Sequence, residues 1–258
     1  MPTHPNITVV TGAAGGLGSA IVESLLRRGD RVIAGDLESA SFDRLLIALE
    51  QNGTHAGASN LITVPHDVTS AESWAALRER AREKFGEPSV LVNNAGISPK
   101  HNGLKLDGLD IPLPEWQAVL DVNLTGVFLG IQALAPAMKN AGYGRIVNMS
   151  SLAGRNGGRI GGVHYATTKA GVLGITRAFA RELADSGVTV NAVAPGRIDS
   201  GMVAMTSDAY NEEYRRLIPV GRLGSAADVA YTVAFLTAPD AGFITGTTTD
   251  VNGGTHMQ

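Results

Sequence analysis

Short apolar runs alternate with longer amphipathic stretches along the whole chain. Residues 7–10 read as a buried strand that empties into a glycine-rich turn, and 17–28 as a helix closed by Gly29. Residues 31–34 form a second strand ending at Gly35-Asp36, 41–51 a helix ending at Asn52-Gly53, and 61–64 a third strand. Asp67-Val68-Thr69-Ser70 leads into a helix that reaches Phe85, with Ser70 as its N-cap. Strand 90–92, a mostly helical 114–140, strand 146–149, helix 162–186 and strand 188–193 follow. Helices near 208–217 and 226–236 and a strand near 248–251 close the pattern.

Strands alternating with helices of this length imply right-handed βαβ crossovers and a parallel sheet covered on both faces. The rhythm runs unbroken and shows no internal repeat, charge block or linker. The expected architecture is therefore α/β: one doubly wound domain over residues 1–258, a parallel seven-stranded sheet with helices on both faces. Two irregular connections interrupt it, 97–115 and the stretch from Arg197 to about residue 208. Both follow the C-terminal end of a strand, where open α/β sheets bind ligands. Loops this long are usually lids or binding loops, so 97–115 and 197–218 are the expected substrate loops.

Composition narrows the chemistry. Of 258 residues, 32 are glycine and none is cysteine, and 17% are charged, below the usual figure of about 25%. Disulfides, thiolate metal sites, iron–sulfur clusters and cysteine nucleophiles are excluded together, and no metal site is expected. The formal charge of −3 gives no reason to expect nucleic acid or an anionic membrane as partner. The N-terminus lacks the pattern of a signal peptide, and no run of about 18 apolar residues predicts a membrane span. A cytoplasmic setting is expected.

The turn after the first strand reads Thr11-Gly12-Ala13-Ala14-Gly15-Gly16-Leu17-Gly18. Small residues let backbone approach a pyrophosphate, and the new helix offers free N–H groups at its positive end. The string satisfies T-G-x-x-x-G-x-G through Gly12, Gly16 and Gly18, and equally T-G-x-x-G-x-x-G through Gly15. Strand before and helix after make it a dinucleotide turn, the mark of a Rossmann-type fold. Asp36, at the end of the second strand, can accept both hydroxyls of an adenosine ribose and would repel a 2′-phosphate. No Lys or Arg stands at Ala13, Ala14, Gly15 or Leu37 to attract that phosphate, so NAD is expected over NADP. Asp67-Val68, after the third strand, is placed for the adenine edge; a plain turn aspartate before a helix fits as well.

Tyr165-Ala-Thr-Thr-Lys169 sets a phenol and an ammonium four apart on one helical face. A nearby cation favours the phenolate and would lower the tyrosine pKa toward working pH. Tyr165 is thereby a candidate general acid/base for a carbonyl–alcohol pair. The strand at 145–149 ends in Ser150-Ser151, whose hydroxyls face the crevice, and Asn93-Asn94-Ala95-Gly96 closes the fourth strand in the same way. Asn123 sits within a helix, where Asn is a poor former, which predicts a local kink or a buried hydrogen bond.

Taken together these residues resemble the short-chain dehydrogenase/reductase family, in its compact class. The motifs Thr11–Gly18, Asp67-Val68, Asn93–Gly96, Asn123, Ser151, Tyr165/Lys169 and Pro195-Gly196 stand in order and cover essentially the whole chain. The resemblance implies that Tyr165 exchanges a proton with the substrate oxygen and Ser151 polarises it; Ser150, its neighbour, is the other possibility. Lys169 would bind the nicotinamide ribose and lower the tyrosine pKa, and Asn123 would order a water beside it. The cofactor would meet Gly12, Gly15, Gly16, Leu17, Gly18, Asp36, Leu37, Asp67, Val68, Asn94, Ala95, Gly96, Tyr165 and Lys169. Pro195, Gly196 and Ile198 would line the nicotinamide, and Ser200 stands where the family usually has Thr. Gly154–Gly162 would be a flexible link between Ser151 and Tyr165. A homotetramer or homodimer is implied as well.

The C-terminal half is similar to the family's 3-oxoacyl carrier-protein reductases. Two features argue against that activity. Asp36 disfavours NADP, which such enzymes usually prefer, and their basic docking neighbourhoods read Asn140-Ala141-Gly142 and Asp185-Ser186 here. The expectation is an NAD-dependent oxidoreductase of a free secondary alcohol or ketone, such as a polyol, sugar or hydroxy acid. The alternatives are an NADP-dependent 3-oxoacyl-thioester reductase and a non-catalytic dinucleotide-binding protein. Lys100, His101 and Lys105 in the first loop and Arg155 and Arg159 after Ser151 would suit an anionic substrate, though ordinary surface charge explains them too.

Overall fold

A computed structural model describes residues 5–38, 40–51, 59–199, 212 and 214–257, without the side chain of Arg44. Seven parallel strands form one sheet in the order β3-β2-β1-β4-β5-β6-β9. In chain order they are β1 (Ile7–Thr11), β2 (Arg31–Asp36), β3 (Leu61–Pro65), β4 (Val90–Asn93), β5 (Gly144–Met149), β6 (Val188–Pro195) and β9 (Thr248–Val251). Two short strands, β7 (Ile198–Asp199) and β8 (Gly224–Ser225), pair with each other beyond the end of β6. The strand order reverses between β1 and β4, which opens a crevice at their C-terminal ends.

Helices cover both faces. On one lie α1 (Gly16–Arg28), α2 (Asp43–Gln51) and α8 (Ala226–Leu236), which bury Ile21, Val22, Leu25, Leu45, Val229 and Val233 against the strands. On the other lie α3 (Ala71–Lys84), α5 (Gly126–Ala141) and α7 (Val163–Leu183), which bury Trp74, Leu77, Ile131, Leu134 and Val172. Fully burying a Leu or Ile side chain contributes about 1.5–3 kcal/mol, so each face rests on several such anchors. Through the sheet's centre runs a polar chain. The Asn93 amide donates to Asn148 Oδ1 at 2.8 Å, and the Asn148 amide donates to Thr176 Oγ1 at 3.0 Å. It ties β4, β5 and α7 together and gives each of these buried amides a hydrogen-bond partner.

Several expected boundaries hold. Gly29 ends α1 in the left-handed region at φ 97°, where glycine has no Cβ penalty. The Ser70 hydroxyl accepts the Ser73 N–H at 3.1 Å as the cap of α3. The helix expected over 114–140 is α4 (Leu113–Leu120), a π-helical turn (Asp121–Thr125) and α5 in one continuous run. That run, Leu113–Ala141, is long and apolar enough by composition to cross a membrane, which the sequence reading did not expect. Its apolar residues Val119, Val127, Ile131 and Leu134 are buried in the fold.

Two local expectations change. The glycine-rich segment 154–162 is not a plain flexible link: it holds α6 (Ala153–Asn156) and packs tightly on α7. A Cβ on Gly154 would lie 2.6 Å from the Lys169 carbonyl, and one on Gly161 would lie 2.5 Å from Tyr165 Cδ1. The glycines there are demanded by close approach. The first irregular loop is shorter than expected, because Glu115 belongs to the first turn of α4. Half of the helix expected over 208–217, together with Ser200, lies outside the described residues.

Candidate active site

The turn from β1 into α1 is built for close backbone approach. Gly12 has φ +63°, and a Cβ on Gly18 would lie 2.1 Å from the Gly12 carbonyl oxygen. Gly15 and Gly16 are exposed, and a Cβ on Gly15 would meet nothing nearer than 3.5 Å. No side chain caps α1 and no acid stands in its first turn. The amides of Gly16, Leu17 and Gly18 therefore form an uncapped positive helix end, suited to a pyrophosphate.

The neighbouring strands hold this turn in place. Thr11 Oγ1 accepts the N–H groups of Asn94 and Ala95, both at 3.1 Å. The Asn94 side-chain amide donates to the carbonyls of Thr11 and Gly12 at 2.9 and 3.1 Å. Asn94 and Ala95 thus brace the turn. Asp36 accepts the Ala14 N–H at 2.8 Å and the Leu37 N–H at 2.9 Å. A carboxylate has about four lone-pair directions, so Asp36 keeps capacity for ribose hydroxyls. Asp67 is exposed, and bonds from the Thr69 backbone and hydroxyl hold its carboxyl below the usual range. The Val68 side chain is buried in the core, leaving only its backbone to face a ligand.

On the far side of the crevice Tyr165 and Lys169 rise from α7, and Ser150 and Ser151 follow β5. The two serines differ sharply. Ser150 is 4% exposed, and its hydroxyl donates to the Lys169 carbonyl at 2.7 Å. Ser151 is less buried and hydrogen-bonds Tyr165, which favours the phenolate. Burial outweighs that bond and pushes the Tyr165 phenol up, against the expectation that Lys169 would bring it down. The Lys169 ammonium lies 5.7 Å from the Tyr165 ring centroid and donates to the Met149 carbonyl at 2.8 Å. Burial pushes this ammonium down to about 8, within easy reach of proton exchange near neutral pH.

Asn123 occupies the π-helical turn and is fully buried. Its Oδ1 accepts the Ile97 N–H at 2.8 Å, and its amide donates to the Ile97 carbonyl at 2.9 Å. The buried hydrogen bond is present, and the helix passes through a π-helical turn there, a feature frequent at functional sites. A Cβ on Gly96 would lie 3.3 Å from both Asn123 Oδ1 and Lys169 Nζ. Gly96 therefore marks where the two side chains converge.

Beyond β6, a Cβ on Gly196 would lie 2.9 Å from Asn252 Cα, Pro195 accepts the Leu152 N–H, and Ile198 packs into the core from β7. Sequence reasoning did not single out His164 or Glu115. His164 is 2% exposed beside Tyr165, and Glu115 bonds it at 2.9 Å. A histidine flanking the tyrosine was the only available signal.

A parallel sheet with a switch-point crevice, a phosphate turn on one side and a Ser–Tyr–Lys group on the other define an oxidoreductase that uses a nicotinamide dinucleotide. Comparisons with known proteins agree. The family model described as Enoyl-(Acyl carrier protein) reductase matches residues 12–256. A 3-oxoacyl-[acyl-carrier-protein] reductase of Pseudomonas aeruginosa is 37% identical over 257 residues, covering 100% of each chain. A 3-oxoacyl-[acyl-carrier protein] reductase from Brucella melitensis with bound NAD superposes with a TM-score of 0.89 at 38% identity, over 100% of this chain and 94% of that one. A candidate gluconate dehydrogenase from Agrobacterium tumefaciens gives 0.86 at 29%, over 97% and 95%. The chain belongs to the short-chain dehydrogenase/reductase family.

Proposed function

We propose that this protein is an NAD-dependent 3-oxoacyl reductase working through Ser151, Tyr165 and Lys169. The hydrogen bond between the Ser151 hydroxyl and the Tyr165 phenol carries the reading, since it sets two hydroxyls side by side where one substrate oxygen would meet both. The substrate class follows the full-length relatives and replaces the free-alcohol reading favoured by the sequence. NAD rather than NADP rests on Asp36, and the Brucella relative carries NAD in its structure.

The Gly12–Gly18 turn and Asp36 would hold the nicotinamide dinucleotide, which would supply or accept the hydride when bound. Tyr165 gives its phenolic proton to the carbonyl oxygen, or takes one back from the alcohol. Ser151 donates to the same oxygen. Lys169 binds the ribose and, close to its own neutral point, restores the proton to Tyr165. Asn123, anchored to Ile97, stands beside Lys169 at Gly96. The chain acts as one domain, with 97–112 and the stretch beyond Arg197 as its substrate loops. A homodimer or homotetramer belongs to the same reading: Tyr231, Phe235 and Phe243 are exposed and suit burial between subunits.

A second reading, a free hydroxy acid, has its own support. Lys100 is pushed down by burial and by the charges of Arg197 and Lys105, and such a grouping of cations suits a carboxylate. The candidate gluconate dehydrogenase is a relative of the same fold.

The test is oxidation of NADH and of NADPH with acetoacetyl-CoA, beside reduction of NAD by gluconate and 3-hydroxybutyrate. The proposal expects acetoacetyl-CoA to be reduced, with kcat/KM about tenfold or more higher for NADH. A preference for NADPH contradicts the role of Asp36. Turnover of the hydroxy acids alone moves the assignment to the second reading.

A further inference from the structure

The loop after β4 is fastened to the start of α7 at several points. The Lys100 ammonium donates to the Ile160 carbonyl. The next residue, His101, opens a tight turn through Asn102 (φ 52°) and Gly103 (φ 80°), closed by the bridge between His101 and Leu104. His101 Nε2 lies 2.7 Å from Glu115 Oε2. Farther on, a Cβ on Gly108 would lie 2.7 Å from Val163 Cγ2.

Glu115 has a second partner. Its Oε1 lies 2.9 Å from Nε2 of His164. The other nitrogen of that ring, Nδ1, accepts the backbone N–H of Tyr165 at 2.7 Å. This N–H is one of the first-turn donors of α7, which no side chain caps at Gly162, so the imidazole fills the capping role. The partners fix the tautomer. Nδ1 faces a donor and carries no proton, so the proton sits on Nε2 and is donated to Glu115. Gly162 makes room for the ring: a Cβ there would lie 2.6 Å from His164 Cε1.

We propose that His164 is a positioning residue for Tyr165, and that Glu115 conveys the seating of the 97–112 loop to it from His101. The proposal rests on the reading of Tyr165 as the acid/base. Nothing in the Tyr165–Lys169 spacing requires a histidine beside the tyrosine or a carboxylate behind it. The three-residue chain gives the loop a hold on the backbone N–H of Tyr165 itself. Misplacement of a catalytic group by about 1 Å costs on the order of 10²-fold in rate, so such a hold can matter.

Two substitutions separate the links. His164→Asn keeps an acceptor in the place of Nδ1 but cannot reach Glu115. His164→Gln keeps a donor toward Glu115 but has no acceptor at the δ position. Each is compared with His101→Ala and Tyr165→Phe in three readouts: exchange of the Tyr165 amide, kcat and KM for acetoacetyl-CoA, and the Kd for NADH. His164→Gln is expected to speed amide exchange and lower kcat about tenfold or more, with the Kd for NADH within about twofold. His164→Asn is expected to restore amide protection and kcat to within about threefold, while its KM rises several-fold, as in His101→Ala.

The proposal is overturned if His164→Gln matches the wild type in exchange and kcat, or if His164→Asn falls as far as His164→Gln. Should His164→Gln fail to fold, a KM for His101→Ala equal to wild type overturns the loop linkage, and loss of amide protection in His164→Asn overturns the capping role. A fully active Tyr165→Phe would instead bring down the underlying acid/base reading. Amide exchange tests the capping link without any substrate.

Discussion

The Ser150 hydroxyl donates to the backbone carbonyl of Lys169 at 2.7 Å. It therefore serves the scaffold, fastening the end of β5 to the middle of α7, while Ser151 faces Tyr165. Ser150→Ala removes one buried hydrogen bond, although the Lys169 carbonyl keeps its helical partner in α7, and should cost about 0.5–1.5 kcal/mol of stability, visible as a lower Tm. Ser151→Ala should leave Tm nearly unchanged and reduce kcat by about 10²-fold or more. Thermal melts and steady-state rates on the two variants check this. Reversed effects would exchange the two roles.

Lys169 is held down to about 8 by burial, so at pH 7 the fold bears the cost of a charged buried ammonium. Lys169→Met should abolish turnover and yet melt no lower than wild type at pH 7. The sign of its pH dependence is fixed. Between about 8 and the ordinary 10.5, the unfolded chain binds more protons than the folded one, so wild-type stability rises with pH. The Tm advantage of Lys169→Met over wild type should shrink from pH 7 to pH 9.5. An advantage that grows over that range contradicts the buried-ammonium account.

In the phosphate turn, a Cβ on Gly18 would lie 2.1 Å from a backbone oxygen, whereas one on Gly15 would meet nothing nearer than 3.5 Å. Gly18→Ala should cost about 1–3 kcal/mol through overpacking and weaken NADH binding at least several-fold. Gly15→Ala should fold normally, with any penalty confined to the dinucleotide. Fluorescence titration of NADH beside a melt separates the two effects.

Much of this was legible in the chain. Periodicity and turn residues mark all seven strands of the main sheet, because parallel strands buried on both faces are short apolar runs with glycine, proline or polar residues between them. Asn123 was readable as an oddity, since an amide within a helix signals a local irregularity, and the π-helical turn is that irregularity. What stayed hidden depends on tertiary approach. Gly154, Gly161 and Gly162 look like a loose linker until α7 is in place and their missing side chains prove to be contact distances. The His101–Glu115–His164 chain joins residues from three separate segments, so no spacing rule contains it. The pKa of Tyr165 was misjudged for a related reason: helical spacing reports the nearby cation but not the burial that opposes it.

The central claim is that Tyr165 exchanges the proton with the substrate oxygen. Its most direct test is NADH oxidation by acetoacetyl-CoA, followed at 340 nm, for wild type and Tyr165→Phe, with the Kd for NADH measured on both. The account predicts a loss in kcat of about 10²–10⁴-fold, with the Kd within about twofold and Tm held. A Tyr165→Phe enzyme that keeps wild-type kcat would contradict it.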